Sequence, residues 1–164
     1  MEHSGSGPDR RFQASPGVSL APRCGASSFC GAQMTLPYFP KQGEILICKF
    51  DDSAQGAEMV KCRPVIVVSR HEAHRSRLCT VIPLSTTAPV PPRQWHHSLP
   101  HLKVTGWHAI GPMWAKCDML ATVSFDRLNK PYNKSRSGRN YVTHKLDAAD
   151  LTAVLACLRA YFGI

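Results

Sequence analysis

The stretch Lys61-Cys62-Arg63-Pro64-Val65-Ile66-Val67-Val68-Ser69 sets a permanent cation at the entrance of the most hydrophobic run in the chain. A guanidinium is planar, stays ionised and offers paired N–H donors, so at a strand mouth it suits an anion such as phosphate. Pro64 biases Arg63 toward extended backbone, which helps to aim the side chain. The plainer alternative is an arginine that pairs with an acid or snorkels into solvent and caps the strand end. Farther on, residues 127–145 carry Arg127, Lys130, Lys134, Arg136, Arg139 and Lys145 with no acid between them. Such a run is either a track for a polyanion or a solvated, mobile loop. Trp95, Trp107 and Trp114 offer π-faces for unstacked bases, although packing in a core is the commoner fate of tryptophan. Of the three, Trp95 borders a loop and is the stacking candidate. His96 and His97 are proton carriers by their ordinary pKa, or simply residues of a solvated strand.

The balance of the whole chain agrees with an anionic partner. Among 164 residues, 20 Lys and Arg face 11 Asp and Glu, giving a net charge of +9. Such a bias speaks about partners rather than fold, and favours nucleic acid or an acidic protein. A hydrophobic content of 43% with 19% charged residues suits one globular domain. The longest aliphatic run is Val65–Val68, far short of the roughly 20 apolar residues of a membrane span. The N-terminus lacks the apolar core of a signal peptide, so a cytoplasmic chain without a membrane partner is expected. Seven cysteines, an odd number with no C-x-x-C pair, read as reduced and buried thiols. His71 and His74 in HEAHR are three apart, whereas a helical zinc pair needs four, and no metal ligand set is expected.

The elements that must position these residues are mostly strands. Residues 1–33 hold six Ser, five Gly and three Pro without apolar periodicity, and the expected division is a disordered extension over 1–39 and a domain over 40–164. Met34 is a candidate start codon. Without residues 1–33 the chain keeps 17 basic against 9 acidic residues, so the charge belongs to the domain. Strands are expected at 44–50, 64–69 (non-alternating and so buried on both faces), 78–85, 95–100, 113–123 (bent near Asp118) and 139–145. Pro83 has no N–H and points to an edge or bulge late in the third strand. At the C-terminus Asp147 caps a helix whose apolar stripe is Leu151, Val154, Leu155, Leu158 and Phe162. Its other face, rich in Ala, is a second surface for burial, for instance against another subunit. The sum is a small, curled antiparallel sheet with one terminal helix.

At this point the chain resembles the MazF/PemK family of toxin endoribonucleases. The resemblance rests on Gly43-Glu44-Ile45, Gly56-x-Glu58, Arg63-Pro64-Val65-Ile66-Val67-Val68-Ser69, Pro83-Leu84-Ser85-Thr86 and Lys116-Cys117-Asp118, in the family's order. It covers residues 40–164, with weak matches at 100–112 and 127–140. It implies an SH3-like barrel, a homodimer, cofactor-free and metal-independent cleavage of single-stranded RNA, and a cognate antitoxin. Arg63 then takes the charge on the scissile phosphate, and Ser85 falls where the family has a catalytic threonine, with Thr86 as the register alternative. Asp118 becomes the candidate for proton transfer and Lys116 a point charge for phosphate, a structural salt bridge being the alternative for this pair. Glu58 orients Arg63 or is an exposed loop carboxylate. With Glu58, the residues expected to bind RNA are Thr86, Trp95, His97, Arg136 and Arg139. A local hydrogen bond to the backbone is the alternative for Ser85.

Three positions depart from the pattern. Ser85 lacks the methyl of threonine, Lys116 replaces the arginine of one branch, and Ala57 stands where that branch has a histidine. The departures keep two other functions open: a non-catalytic nucleic-acid- or protein-binding module, and a toxin of the same fold directed at DNA gyrase.

Overall fold

The computed structural model describes residues 35–50, 59–107 and 111–164. Its strands are β1 Glu44–Lys49, β2 Cys62–Val67, β3 Leu78–Ser85, β4 His96–Leu99, β5 Met113–Lys116, β6 Ala121–Ser124, β7 Leu128–Asn129, β8 Tyr132–Ser135, β9 Gly138–Tyr141 and β10 His144–Lys145, followed by the helix α1 Ala148–Phe162. Eight strands form one sheet in the order β10-β1-β2-β3-β5-β4, with β6 added on β3 and β7 on β1. Every pairing is antiparallel, and β8 with β9 makes a separate hairpin. The result is the mainly β, curled sheet with a C-terminal helix that the pattern of short strands predicts.

Both faces of β2 are covered, as its unbroken apolar run requires. Ile66 joins Ile45, Ile47, Ile82, Leu84 and Val154 in the core beneath α1. Val65 and Val67 face the other way, into a core with Leu46, Cys48, Val81, Phe125 and Leu128. β3 is an interior strand rather than the edge that Pro83 suggests, and Pro83 marks where it changes partners. β6 pairs with β3 up to Val81, and β5 takes over at Leu84. A residue without an N–H leaves no donor stranded in that gap.

Several expected bounds shift. The segment 113–123 splits into β5 and β6 around a 3-10 turn at Cys117–Met119, the bend expected near Asp118. The run 139–145 divides into β9 and β10, and the basic stretch 127–145 is ordered as β7, the hairpin and β10 rather than a mobile loop. On α1, Asp147 accepts the Asp150 N–H at 2.7 Å, the predicted cap. Leu151, Val154 and Leu158 face the core, but Phe162 lies at the last turn and is 57% exposed. The packed chain begins earlier than residue 40: Leu36 is buried and donates its N–H to Phe125 O at 3.0 Å. Residues 1–34 lie outside the described residues. No helix among the described residues is long and apolar enough to cross a membrane.

This packing disfavours the charged form of two histidines. Ser69 Oγ accepts the Thr80 N–H at 2.9 Å and lies within hydrogen-bond distance of His74 Nε2 at 2.7 Å. Burial, and then His71, hold His74 below the usual histidine pKa, with Glu72 opposing. His144 Nε2 accepts the Thr105 N–H at 3.1 Å, and burial lowers its pKa as well. The unfolded chain therefore takes up protons near pH 6.5 that the fold refuses. Stability is full above that pH and declines as pH falls through it toward the folded pKa values. We expect the urea midpoint to be level above about pH 7.5 and to drop toward pH 5. His74→Gln, which keeps a partner for Ser69 without a titrating ring, should show a shallower drop; equal slopes would remove His74 from this account.

Candidate active site

Side chains alternate across a strand, so the register of the sheet decides which residues meet. On β2, Arg63 shares a face with Val65 and Val67. Val65 pairs with Pro83, and continuing that register by two residues sets Arg63 opposite Ser85. Ser85 pairs in turn with Trp114, and Trp114 with Ser98. Two residues along the same face, Lys116 of β5 pairs with His96 of β4. Toward the middle of the sheet this face is covered by the Phe125 core. Where that cover ends it opens into a pocket of about 220 Å³ that takes in Arg63, Pro83, Ser85, Thr87 and Lys116, walled by Met59 and Met119.

The pocket thus joins three of the four expected catalytic residues. Its charged lining among the described residues is cationic, Arg63 and Lys116. The Arg63 Nε is buried and has no hydrogen-bond partner among the described residues. Ser85 Oγ accepts the Thr87 N–H at 3.1 Å and lies 3.3 Å from Thr87 O, the local backbone bond weighed from its sequence. Cys117 lies between Lys116 and Asp118 but points into the core under α1. Burial above all pushes its thiol up to about 12, and an inert thiol is no nucleophile. Asp118, the fourth expected residue, sits in the 3-10 turn beside the pocket, and its Oδ2 lies 3.3 Å from His96 Nε2.

The expected RNA-binding residues are dispersed. His97 faces away from the pocket, with Nε2 3.1 Å from Asp150 Oδ1 on α1. Trp95 packs against the core beneath the helix, edge-on to Tyr161 at 6.1 Å. Arg136 lies in the turn of the hairpin and Arg139 on β9, where its guanidinium stands 5.2 Å above the Tyr132 ring. Thr87, rather than Thr86, lines the pocket. Glu58 and Ala57 lie outside the described residues. His96 and Trp114 share the pocket face; the sequence offers His96 as a proton carrier and Trp114 as one of three stacking candidates, but favours Trp95 among the tryptophans. The phase of HHSL carries the signal: Leu99 belongs to the core, so His97 shares its side and His96 takes the other.

A second cavity, about 400 Å³, lies between residues 35–38, Asn129, Lys130 and Tyr141. Its polar groups are engaged within the fold. The Tyr38 hydroxyl donates to the Glu44 carboxylate, and Lys130 Nζ sits 4.6 Å above the Tyr38 ring while bonding Thr143 Oγ1 at 3.0 Å. Burial, and then Glu44, raise the Tyr38 pKa.

Comparisons with known proteins bear on the whole arrangement. The profile of a family described as PemK-like, MazF-like toxin of type II toxin-antitoxin system matches residues 41–162. In structure, the chain is similar to MazF from Deinococcus radiodurans, with 22% identity and a TM-score of 0.54 over 77% of this chain and 99% of that one. It is similar to an endoribonuclease in complex with its cognate antitoxin from a mycobacterial species, with 16% identity and a TM-score of 0.51 over 76% and 96% of the two chains. A chain from a MazE–MazF crystal structure of Deinococcus radiodurans gives 21% identity and a TM-score of 0.52 over 77% and 99%. At such identities the structures speak for a shared fold. No curated protein sequence matches the chain significantly.

The two histidines of β4 should separate in experiment. His97→Ala removes a half-exposed contact to the helix and should lower stability by about 1 kcal/mol or less while leaving RNA affinity unchanged. A clear loss of affinity at unchanged stability would return His97 to the binding surface.

Proposed function

The chain belongs to the PemK-like, MazF-like toxin family of type II toxin–antitoxin systems, and on that premise we propose that it is an endoribonuclease cutting single-stranded RNA at the pocket of Arg63, Ser85 and Lys116. The observation that carries the reading is the buried Arg63 Nε, unpartnered among the described residues, in a pocket whose other charge among those residues is an ammonium. A buried donor without an acceptor costs about 1–3 kcal/mol, a cost that an incoming anion removes.

RNA brings its own nucleophile. The 2′-oxygen bonds to the adjacent phosphorus, the bond to the 5′-oxygen breaks, and the products are a 2′,3′-cyclic phosphate and a 5′-hydroxyl. The protein has to hold the groups in line, meet the charge that grows on the phosphate oxygens and move protons. Arg63 binds those oxygens with its fork and does not titrate, and Lys116 adds a point charge. Ser85 supplies a hydroxyl donor when its long contact to Thr87 O is exchanged for phosphate. Asp118 takes the proton of the 2′-hydroxyl, and water returns one to the leaving oxygen.

The relatives crystallised with antitoxins support a cognate antitoxin for this chain, and a net charge of +9 complements an acidic one. Family membership likewise supports a homodimer, and an RNA substrate supports action in the cytoplasm. Arg63→Ala should slow cleavage by about 10²–10³ with little change in melting temperature. The assay is a long single-stranded RNA with EDTA present, read by fragment length and end chemistry. RNA left intact by the native chain would overturn the ribonuclease reading, and unchanged cleavage by the variant would remove Arg63 from the mechanism.

A further inference from the structure

His96 is an imidazole with both nitrogens committed. Its Nδ1 accepts the Arg93 backbone N–H at 3.1 Å. A backbone amide can only donate, so Nδ1 carries no proton, and the proton of the neutral ring is on Nε2. That nitrogen lies 3.3 Å from Asp118 Oδ2, an ion-pair contact between imidazole and carboxylate. The ring is held in place as well: the His96 side chain is 7% exposed, against 36% for Asp118. The backbone repeats the link, because His96 N–H donates to Arg93 O at 3.0 Å and Cys117 N–H donates to Trp95 O at 3.2 Å.

We propose that His96 is the positioning residue for Asp118, a fixed bridge that ties the carboxylate to the loop over 86–95. The inference rests on the assignment of Asp118 to proton transfer. Cross-strand pairing with Lys116 puts His96 on the pocket face, next to the strand end from which Asp118 projects. The contact with Nε2 engages Oδ2 and leaves Oδ1 as the carboxylate oxygen turned from the imidazole, the one to receive a proton from substrate. A ring that accepts from a backbone amide at Nδ1 is unsuited to act as the base itself, since protonation there would expel the Arg93 N–H. The bridge also joins chemistry to recognition. The loop holding Pro89, Pro91, Pro92 and Arg93 borders the pocket through Thr87, so a substrate that moves the loop acts on the base through one imidazole.

The roles of the two nitrogens can be separated by substitution. His96→Asn keeps an acceptor for Arg93 where Nδ1 stood and loses the donor to Asp118. His96→Gln places an amide donor near the position of Nε2. We expect H96N to melt like the native chain but to lose about 10–100-fold in kcat with KM little changed, a cost typical of a displaced catalytic group. H96Q should recover most of the rate. In a D118N background H96N should cost nothing further, because a positioning residue has no effect once its target is gone. Equal losses in both backgrounds, or full activity of H96N, would overturn the proposal. Should the native chain leave RNA intact, the ribonuclease reading fails separately, and ¹⁵N NMR of the native His96 ring still decides the bridge. A proton on Nε2 supports it, and a proton on Nδ1 overturns it.

Discussion

The register of β2 against β3 is the constraint on which the rest of the molecule depends. Antiparallel strands have a side-chain period of two, so a shift of one residue would turn every side chain of β2 to the opposite face. Val65 opposite Pro83, Ile66 opposite Ile82 and Val67 opposite Val81 fix that choice with six apolar residues. Each is buried on one face or the other. Any slip would break two cores at once, at about 1.5–3 kcal/mol for each large side chain exposed. The pocket costs the sheet little extra order, because Arg63, Ser85, Trp114 and Lys116 stand on positions that the cores already define.

The same economy explains how a cation is tolerated beside the most hydrophobic run of the chain. The core over Val65 and Val67 is closed by Phe125 and Leu128, and it ends just before Arg63. The guanidinium therefore sits at a boundary, with part of its fork buried and part facing an open pocket. A free carboxylate placed there would satisfy it and compete with any anion entering the pocket. Among the described residues the nearby carboxylate is Asp118, and it is turned to His96 instead. Keeping acid and guanidinium apart leaves both available to a substrate.

Much of this was legible in the sequence, because apolar periodicity is a local signal. The strands 44–50 and 78–85, the two-sided burial of β2 and the Asp147 cap follow from residue types within a few positions of one another. So does the bend near Asp118. Pro83, by contrast, points to an edge and sits in an interior strand instead. What the sequence hides is the partnership between distant segments. Nothing around Trp95 states that it will lie beneath α1 against Tyr161, and nothing local to His97 announces Asp150, 53 residues away. The hairpin of β8 and β9 escaped for a different reason. Its residues are almost all exposed, so no buried face imprints alternation, and a run of cations reads as a loop.

The three departures from the family pattern have unequal weight once they are placed in space. Ser for Thr at 85 keeps the hydroxyl on the pocket face, and its present bond to Thr87 is one that phosphate can replace. Lys at 116 matters more, since an ammonium neutralises charge without fixing direction. Arg63 is then the one planar fork lining the pocket among the described residues, and in the proposed mechanism the in-line geometry of attack would depend on its two-point grip. A site with a single directional cation has more need of a rigid base. On our proposal the ring of His96, anchored to backbone at one nitrogen and 3.3 Å from Asp118 at the other, would supply that rigidity from the strand next to Lys116. Orientation that a second fork would have provided at the phosphate would then be provided at the carboxylate.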